Sequence, residues 1–166
     1  MNIPKKYSNG LFLKETVIAL IIIIFVFTLD RLSKISIIKQ QLSNNITFVN
    51  DYLNFDLVWN TGIGFGLLSQ SANFYYHAIS LLIFLVIAFL TYLIIKAKFT
   101  DKILFSLVLG GALGNFYDRI NYFAVPDFID IHLNNFHWFT FNIADIFISV
   151  GIILILTREL IKTKEE

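Results

Sequence analysis

The sequence predicts an all-α polytopic membrane protein with four transmembrane helices, both termini cytoplasmic, and a small β segment on the outer (periplasmic) face. Three observations lead there. Hydrophobic residues make up 57% of the 166 positions, charged residues only 15%, and the mean hydropathy is +0.71. A soluble domain carries about 25% charge, so this much apolar surface calls for a bilayer as solvent. Four stretches approach the roughly 20 apolar residues that a helix needs to cross a hydrocarbon core of about 30 Å. Basic residues, finally, are shared unevenly between the connecting segments. A net charge of +1 with no basic block argues against nucleic acid. The lack of cysteine excludes disulfides, thiol nucleophiles and thiolate metal sites.

The first span covers about 13–33, with an uncharged centre from Thr16 to Leu29. It has the basic flank of a secretory signal, but Thr28-Leu29-Asp30-Arg31 offers no small-residue cleavage site, so it is read as a retained helix. An outer segment follows at about 38–70. There Leu53, Phe55, Leu57 and Trp59 alternate with Asn54, Asp56, Val58 and Asn60, the period of a half-buried strand lying aromatic face down on the membrane. The second span, about 73–95, is unbroken by formal charge. The third, about 101–118, opens on the cap-like Thr100-Asp101-Lys102, and the fourth, about 143–158, carries Asp145 near its start. Both are short, which predicts that protein covers their outer ends. The second outer segment, about 119–142, is rich in Phe, Tyr, Trp and Asn and is read as an aromatic interfacial loop. No repeat, linker or second domain interrupts this single membrane domain.

With the termini and the 96–102 loop inside, that side holds Lys5, Lys6, Lys14, Lys96, Lys98, Lys102, Arg158, Lys162 and Lys164. The other side holds Arg31, Lys34, Lys39 and Arg119, a clear positive-inside imbalance.

Seven of the twelve acidic residues map to the outer side: Asp30, Asp51, Asp56, Asp118, Asp127, Asp130 and Asp145. A carboxylate at membrane depth costs about 2.5–3.5 kcal/mol on insertion scales, so Asp145 and Asp127, both in apolar sequence, are candidates for function. Two carboxylates in a low-dielectric site share a proton, and one can then activate water while the other protonates a carbonyl. Composition does not choose between Asp127 and Asp118 as the partner of Asp145. An aspartate at a helix start is often an N-cap, but Asn142 can cap instead. Asp118 is read as the partner of a cation, Asp130 as a solvated loop residue, and Asp30 with Lys34 as an i,i+4 ion pair.

Gly110 and Gly114 form a small-xxx-small face for close helix packing. The Asn60-Thr-Gly-Ile-Gly-Phe-Gly66 run gives a loop or bulge with close backbone access, not a nucleotide loop. No Gly-x-Ser-x-Gly elbow occurs, and the neighbours Ser33 and Lys34 point to different sides of a helix, which excludes a Ser–Lys dyad. His132 and His137 with Asp127 and Asp130 match no recognised metal-ligand spacing, and His77 is read as a polar contact inside a span. No metal or cofactor is expected.

Taken in order, five blocks resemble lipoprotein signal peptidase (signal peptidase II), the family of bacterial membrane aspartic endopeptidases. They are Asp30-Arg-Leu-Ser-Lys34, Asn60-Thr-Gly-Ile-Gly-Phe65, Gly110-Gly-Ala-Leu-Gly-Asn-Phe-Tyr-Asp-Arg119, Val125-Pro-Asp-Phe128 and Phe141-Asn-Ile-Ala-Asp145. The resemblance covers nearly the whole chain and implies Asp127 and Asp145 as the catalytic pair. It implies that Asn60, Gly62, Asn115, Arg119 and Asn142 bind substrate or orient the pair, with Asp30, Lys34 and Asp118 in support. One departure is visible: Ile63-Gly64 replaces the small residues usual after the glycine of N-x-G. The implied reaction is cleavage of a signal peptide just before a diacylglyceryl cysteine of a prolipoprotein, by a monomer in the inner membrane with its site toward the outer face. The alternatives are a small proton-coupled carrier using Asp127 and Asp145 as relay groups, and an assembly subunit whose aspartates only pair with Arg31, Lys34 and Arg119. The carrier calls for inverted repeats or broken helices, which the sequence does not display.

Overall fold

In the computed structural model of the chain, residues 9–41, 47–62, 74–134 and 136–165 are described. Lys5, Lys6, the Ile63-Gly64 departure and the rest of the glycine run lie outside them. The chain order is α1 (Asn9–Gln41), β1 (Thr47–Asn50), β2 (Leu53–Asn60), α2 (Phe74–Lys96), α3 (Phe99–Tyr122), β3 (Val125–Leu133), β4 (Phe136–Phe141) and α4 (Ile143–Glu165). The molecule is therefore mostly helical with one small antiparallel sheet, ordered β1-β2-β3-β4. This corrects the all-α expectation, because the segment 119–142 is the last turn of α3 followed by a strand pair rather than an aromatic loop.

Helix α3 is the centre of the bundle and packs against α1, α2 and α4. Its glycines make this possible. A Cβ on Gly110 would stand 2.8 Å from the Val26 Cβ and 3.0 Å from the Ile23 carbonyl of α1, and one on Gly114 would run into the Asp30 carboxylate. The Gly110–Gly114 face thus brings α1 and α3 to close range, as the spacing predicts. Val108, Leu109 and Ala112 join Ala19, Ile87, Leu90 and Ile94 in the buried core.

Among the described residues, two helices are long and apolar enough to cross a membrane by themselves, over Phe12–Gln41 and Tyr76–Lys96. The stretch in α1 reaches well beyond the 13–33 expected. Helix α3 is screened by three neighbours, and α4, apolar through its middle, carries the buried Asp145 near its start and Arg158 and Glu159 toward its end. Outward-facing apolar residues such as Ile24, Phe25, Leu85, Phe89, Ile153 and Leu156 leave the bundle with a continuous greasy belt.

At one end of the bundle Arg158 of α4 pairs with Asp101 of α3 at 2.5 Å. Lys102, expected in a loop, is instead helical and buried, 3.5 Å from Glu15 and over the Phe12 ring. The sheet closes the other end. Leaving α3, the chain turns through Phe123 in the left-handed conformation (φ 55°) and enters β3 at once. In β2 the expected alternation fails halfway. A bulge between Phe55 and Val58 shifts the register with β3 by one residue, so Trp59 is exposed and Asn60 is buried in its place. Asn60 lies opposite Val125, two residues from Asp127, and so shares the Asp127 face. His77, read as a polar contact inside a span, is exposed near the start of α2, edge-on to the Tyr76 ring.

Candidate active site

The chain enters α4 through Asn142, and its side chain caps the helix: the Asp145 amide donates to Asn142 Oδ1 at 3.0 Å. The Asn142 amide donates in return to Asp145 Oδ2 at 3.1 Å, so the two residues form a reciprocal capping box with aspartate at the third helical position. The capping role that competed with chemistry at Asp145 is thus shared, with Asn142 as the cap.

Asn142 has one further donor, and it reaches β3. Its Nδ2 meets Asp127 Oδ1 at 2.5 Å. The other Asp127 oxygen accepts from Asn60 Nδ2 at 2.9 Å, while Asn60 Oδ1 receives the Gly62 amide at 2.8 Å. Asp127 and Asp145, eighteen positions apart in the sequence, are therefore each one hydrogen bond from a single asparagine. All three are buried. Burial pushes the Asp127 carboxyl up to about 7, and the facing Asp145 charge adds to the rise. Hydrogen bonds from Asn60 and Asn142 and the Lys34 charge oppose it. This is the pattern of two carboxyls that do not both ionise at neutral pH.

Behind the pair lies a layer of charge. Lys34 Nζ donates to Asp30 Oδ2 at 2.7 Å, Asn115 Oδ1 at 2.8 Å and Asp118 Oδ2 at 2.7 Å, which uses all three of its hydrogens. The Asp30–Lys34 pair is the one that the i,i+4 spacing predicts. Asp30 Oδ1 also accepts the Ala144 amide at 3.0 Å and ties α1 to the first turn of α4. Asp118 takes its second cation from Arg31, not from the adjacent Arg119. Arg31 was not among the predicted site residues, although its i,i+3 spacing from Lys34 on one helical face is a usable signal. Asn115 completes the layer by donating Nδ2 to Asp145 Oδ1 at 2.8 Å.

Arg119 is buried and points elsewhere. Its Nη2 donates to the Gly62 carbonyl at 2.5 Å, and its own carbonyl accepts from the Tyr76 hydroxyl at 2.7 Å. Its Nε and Nη1 have no partner among the described residues. Tyr76, fully buried, is a second residue that the sequence did not single out. Below the pair, a groove of about 380 Å³ runs between α2, α3 and α4. Ile83, Val86, Leu90, Val108, Ile148 and Ile152 line it, and Asn115, Arg119 and Asp145 close one end.

Every predicted site residue thus falls into one of three connected groups: the acid pair with Asn60, Gly62 and Asn142, the Asp30–Lys34–Asn115–Asp118 layer, and Arg119. Asp130 does not behave as expected. It is buried on β3, with the His137 ring nitrogen 2.8 Å from its carboxylate, because the strand pair folds His137 back over it.

The chain is 43% identical over 154 residues to the lipoprotein signal peptidase of Pelagibacter ubique (strain HTCC1062), a match covering 92% of this chain and 93% of that protein. It is 37% identical over 156 residues to the lipoprotein signal peptidase of Anaplasma phagocytophilum (strain HZ), covering 92% and 98%. A bacterial membrane enzyme solved by the in meso method at 2.3 Å resolution superimposes with a TM-score of 0.75 at 28% identity, over 99% of this chain and 96% of that one. The model of Signal peptidase (SPase) II matches residues 22–161, and the chain belongs to that family.

Proposed function

We propose that the protein is an aspartic endopeptidase that removes the signal peptide from diacylglyceryl-modified prolipoproteins just before the lipidated cysteine. The observation that carries this reading is Asn142, whose side-chain amide donates to Asp127 while its backbone amide donates to Asp145, the latter at one end of an apolar groove. The ionised member of the pair takes a proton from water as the water attacks the scissile carbonyl. The protonated member gives its proton to the carbonyl oxygen and so avoids a free oxyanion. As the tetrahedral gem-diol collapses, the carboxyl that took the water proton gives it to the leaving nitrogen while the other carboxylate takes a proton from a gem-diol hydroxyl, so the pair is again singly protonated. No metal or cofactor takes part in these steps.

The groove is apolar enough for a signal helix. The Arg119 Nε and Nη1 hydrogens are positioned to meet substrate carbonyl groups, which would satisfy two buried donors. Asn60 and Gly62, joined to each other and to Asp127 and Arg119 respectively, keep those two side chains in place. In this reading all four helices span the inner membrane, both termini are cytoplasmic, and the chain works as a monomer. Support comes from the bundle's polarity: Lys96, Lys98 and Arg158 lie at the end opposite the sheet. The acid pair is at the sheet end, where the acyl chains of the substrate would fix the scissile bond near the outer interface.

The test is turnover of a lipidated precursor by the purified full chain with Asp127→Asn or Asp145→Asn. Each change is expected to lower cleavage at least about 10³-fold while the thermal transition of the protein persists. Normal cleavage by either folded variant would remove the assignment and return the relay reading.

A further inference from the structure

The side of β3 that faces away from the acid pair carries a second cluster. Asp130 and His132 stand two residues apart on one face of the strand, and His137 of β4 is the cross-strand partner of His132. The strand pair brings these side chains together: one ligand atom from each lies within 4.8 Å of those from the other two. We propose that Asp130, His132 and His137 form a binding site for one divalent transition-metal ion of the zinc type.

Three observations carry this. His132 is nine-tenths buried, yet its Nδ1 has no hydrogen-bond partner among the described residues and stands 3.8 Å from Asp130 Oδ2. Buried nitrogens of this kind are rare without a partner, and a cation between the two groups would satisfy both. The distances are also suitable. Ligands bound tetrahedrally at about 2.0–2.1 Å lie about 3.3–3.5 Å from one another. The 3.8 Å gap from His132 and the 2.8 Å hydrogen bond from His137 Nδ1 to the same carboxylate bracket that value. Finally, the two imidazole rings are neighbours, with centroids 5.1 Å apart and planes 21° from parallel, and each offers a nitrogen within 4.8 Å of the other ligand atoms.

The chemistry of the ligands selects the metal. Two imidazoles and one carboxylate suit Zn²⁺, Ni²⁺ or Cu²⁺, whereas Ca²⁺ and Mg²⁺ prefer all-oxygen sites. The His137 side chain is 57% exposed, so an ion has a route in and a water can occupy the fourth position. Binding through His137 Nδ1 needs only a change of tautomer, with the hydrogen moved to Nε2. The ion joins β3 to β4 three residues beyond Asp127 and would therefore brace the strand that carries that residue. The site is independent of the peptidase reading.

The experiment is a calorimetric Zn²⁺ titration of the tag-free full chain in detergent after chelation, with Co²⁺ absorption as a second probe. Expected are one ion per chain, a four-coordinate Co²⁺ spectrum, a higher melting temperature with Zn²⁺, and no heat with Mg²⁺. His137→Ala, at an exposed position, should fold and lose all of these, as should His132→Ala. Absence of saturable one-to-one binding would overturn the proposal, and so would binding that survives His137→Ala. If His132→Ala fails to fold, His137→Ala and His137→Gln decide the matter alone.

Discussion

Lys34 and Asp145 are joined through one intervening side chain: Asn115 accepts from the Lys34 ammonium with its carbonyl and donates to the Asp145 carboxylate with its amide. The orientation of that amide is therefore fixed, and with it that of the Asp145 carboxylate, whose other oxygen accepts the Asn142 backbone amide. Lys34 sets the site without touching the reacting atoms. Replacing it by Met leaves Asp30 and Asp118 buried without their shared cation. Breaking a buried pair in this way costs about 3–5 kcal/mol, which thermal or denaturant unfolding in detergent would register.

Asp118→Asn should act mainly on stability. The change keeps the shape but removes the charge that holds Arg31 and Lys34, for an expected loss of about 1.5–3 kcal/mol. Cleavage per folded molecule should stay within about tenfold of the parent. A folded variant with no turnover would show that Asp118, not Asp127, completes the pair.

Asn142 does two jobs that different substitutions can separate. Asn142→Ala removes the cap and the bridge, at a cost of about 1–2 kcal/mol in stability together with activity. Asn142→Ser keeps an oxygen to cap α4 but has no amide for Asp127. Its melting temperature should recover most of the loss while turnover does not.

Activity should fall as pH rises through about 7, the value to which burial and the Asp145 charge push the Asp127 carboxyl. Above it the pair loses the proton that the mechanism donates. Stability moves the same way. A carboxyl whose pKa is raised by folding contributes stability that is complete below its ordinary value of 3.8 and is lost as pH climbs through about 7. Asp127→Asn should flatten that decline, as melting temperatures at pH 5 and pH 8 would show.

Gly114→Ala should destabilise by about 1–3 kcal/mol. The added methyl group would strike the Asp30 carboxylate, which already holds Lys34 and the Ala144 amide. Unfolding measurements on this variant beside Gly110→Ala would compare the carboxylate contact with ordinary helix packing.

Much of this site was legible before any coordinates. The Asn142 and Asp145 spacing reads as a helix start, Asp30 and Lys34 as an ion pair, and Gly110 with Gly114 as a contact face, because each depends only on local helical geometry. What escaped depends on strand pairing. The run Val125–Leu133 mixes acids and apolar residues on both faces and contains Pro126, which weakens any strand assignment. With β3 unseen, the burial of Asp130 and its closeness to His137 could not be read. The bulge in β2 escaped for the same reason: it exists only relative to β3, yet it decides that Asn60 rather than Trp59 turns toward Asp127. The pairing of Asp118 with Arg31 and Lys34 also leaves no local trace, since Asp118 sits beside a different arginine in the chain.

The four charges Asp30, Arg31, Lys34 and Asp118 balance one another, but they are not made together. Three arrive with α1, while Asp118 follows 87 residues after Arg31 and 84 after Lys34. Until α3 docks, the Asp30–Arg31–Lys34 group of α1 carries one cation too many. The residues between Lys34 and Asp118 must be made first, so this part of α1 stays electrically incomplete after its own turns have formed.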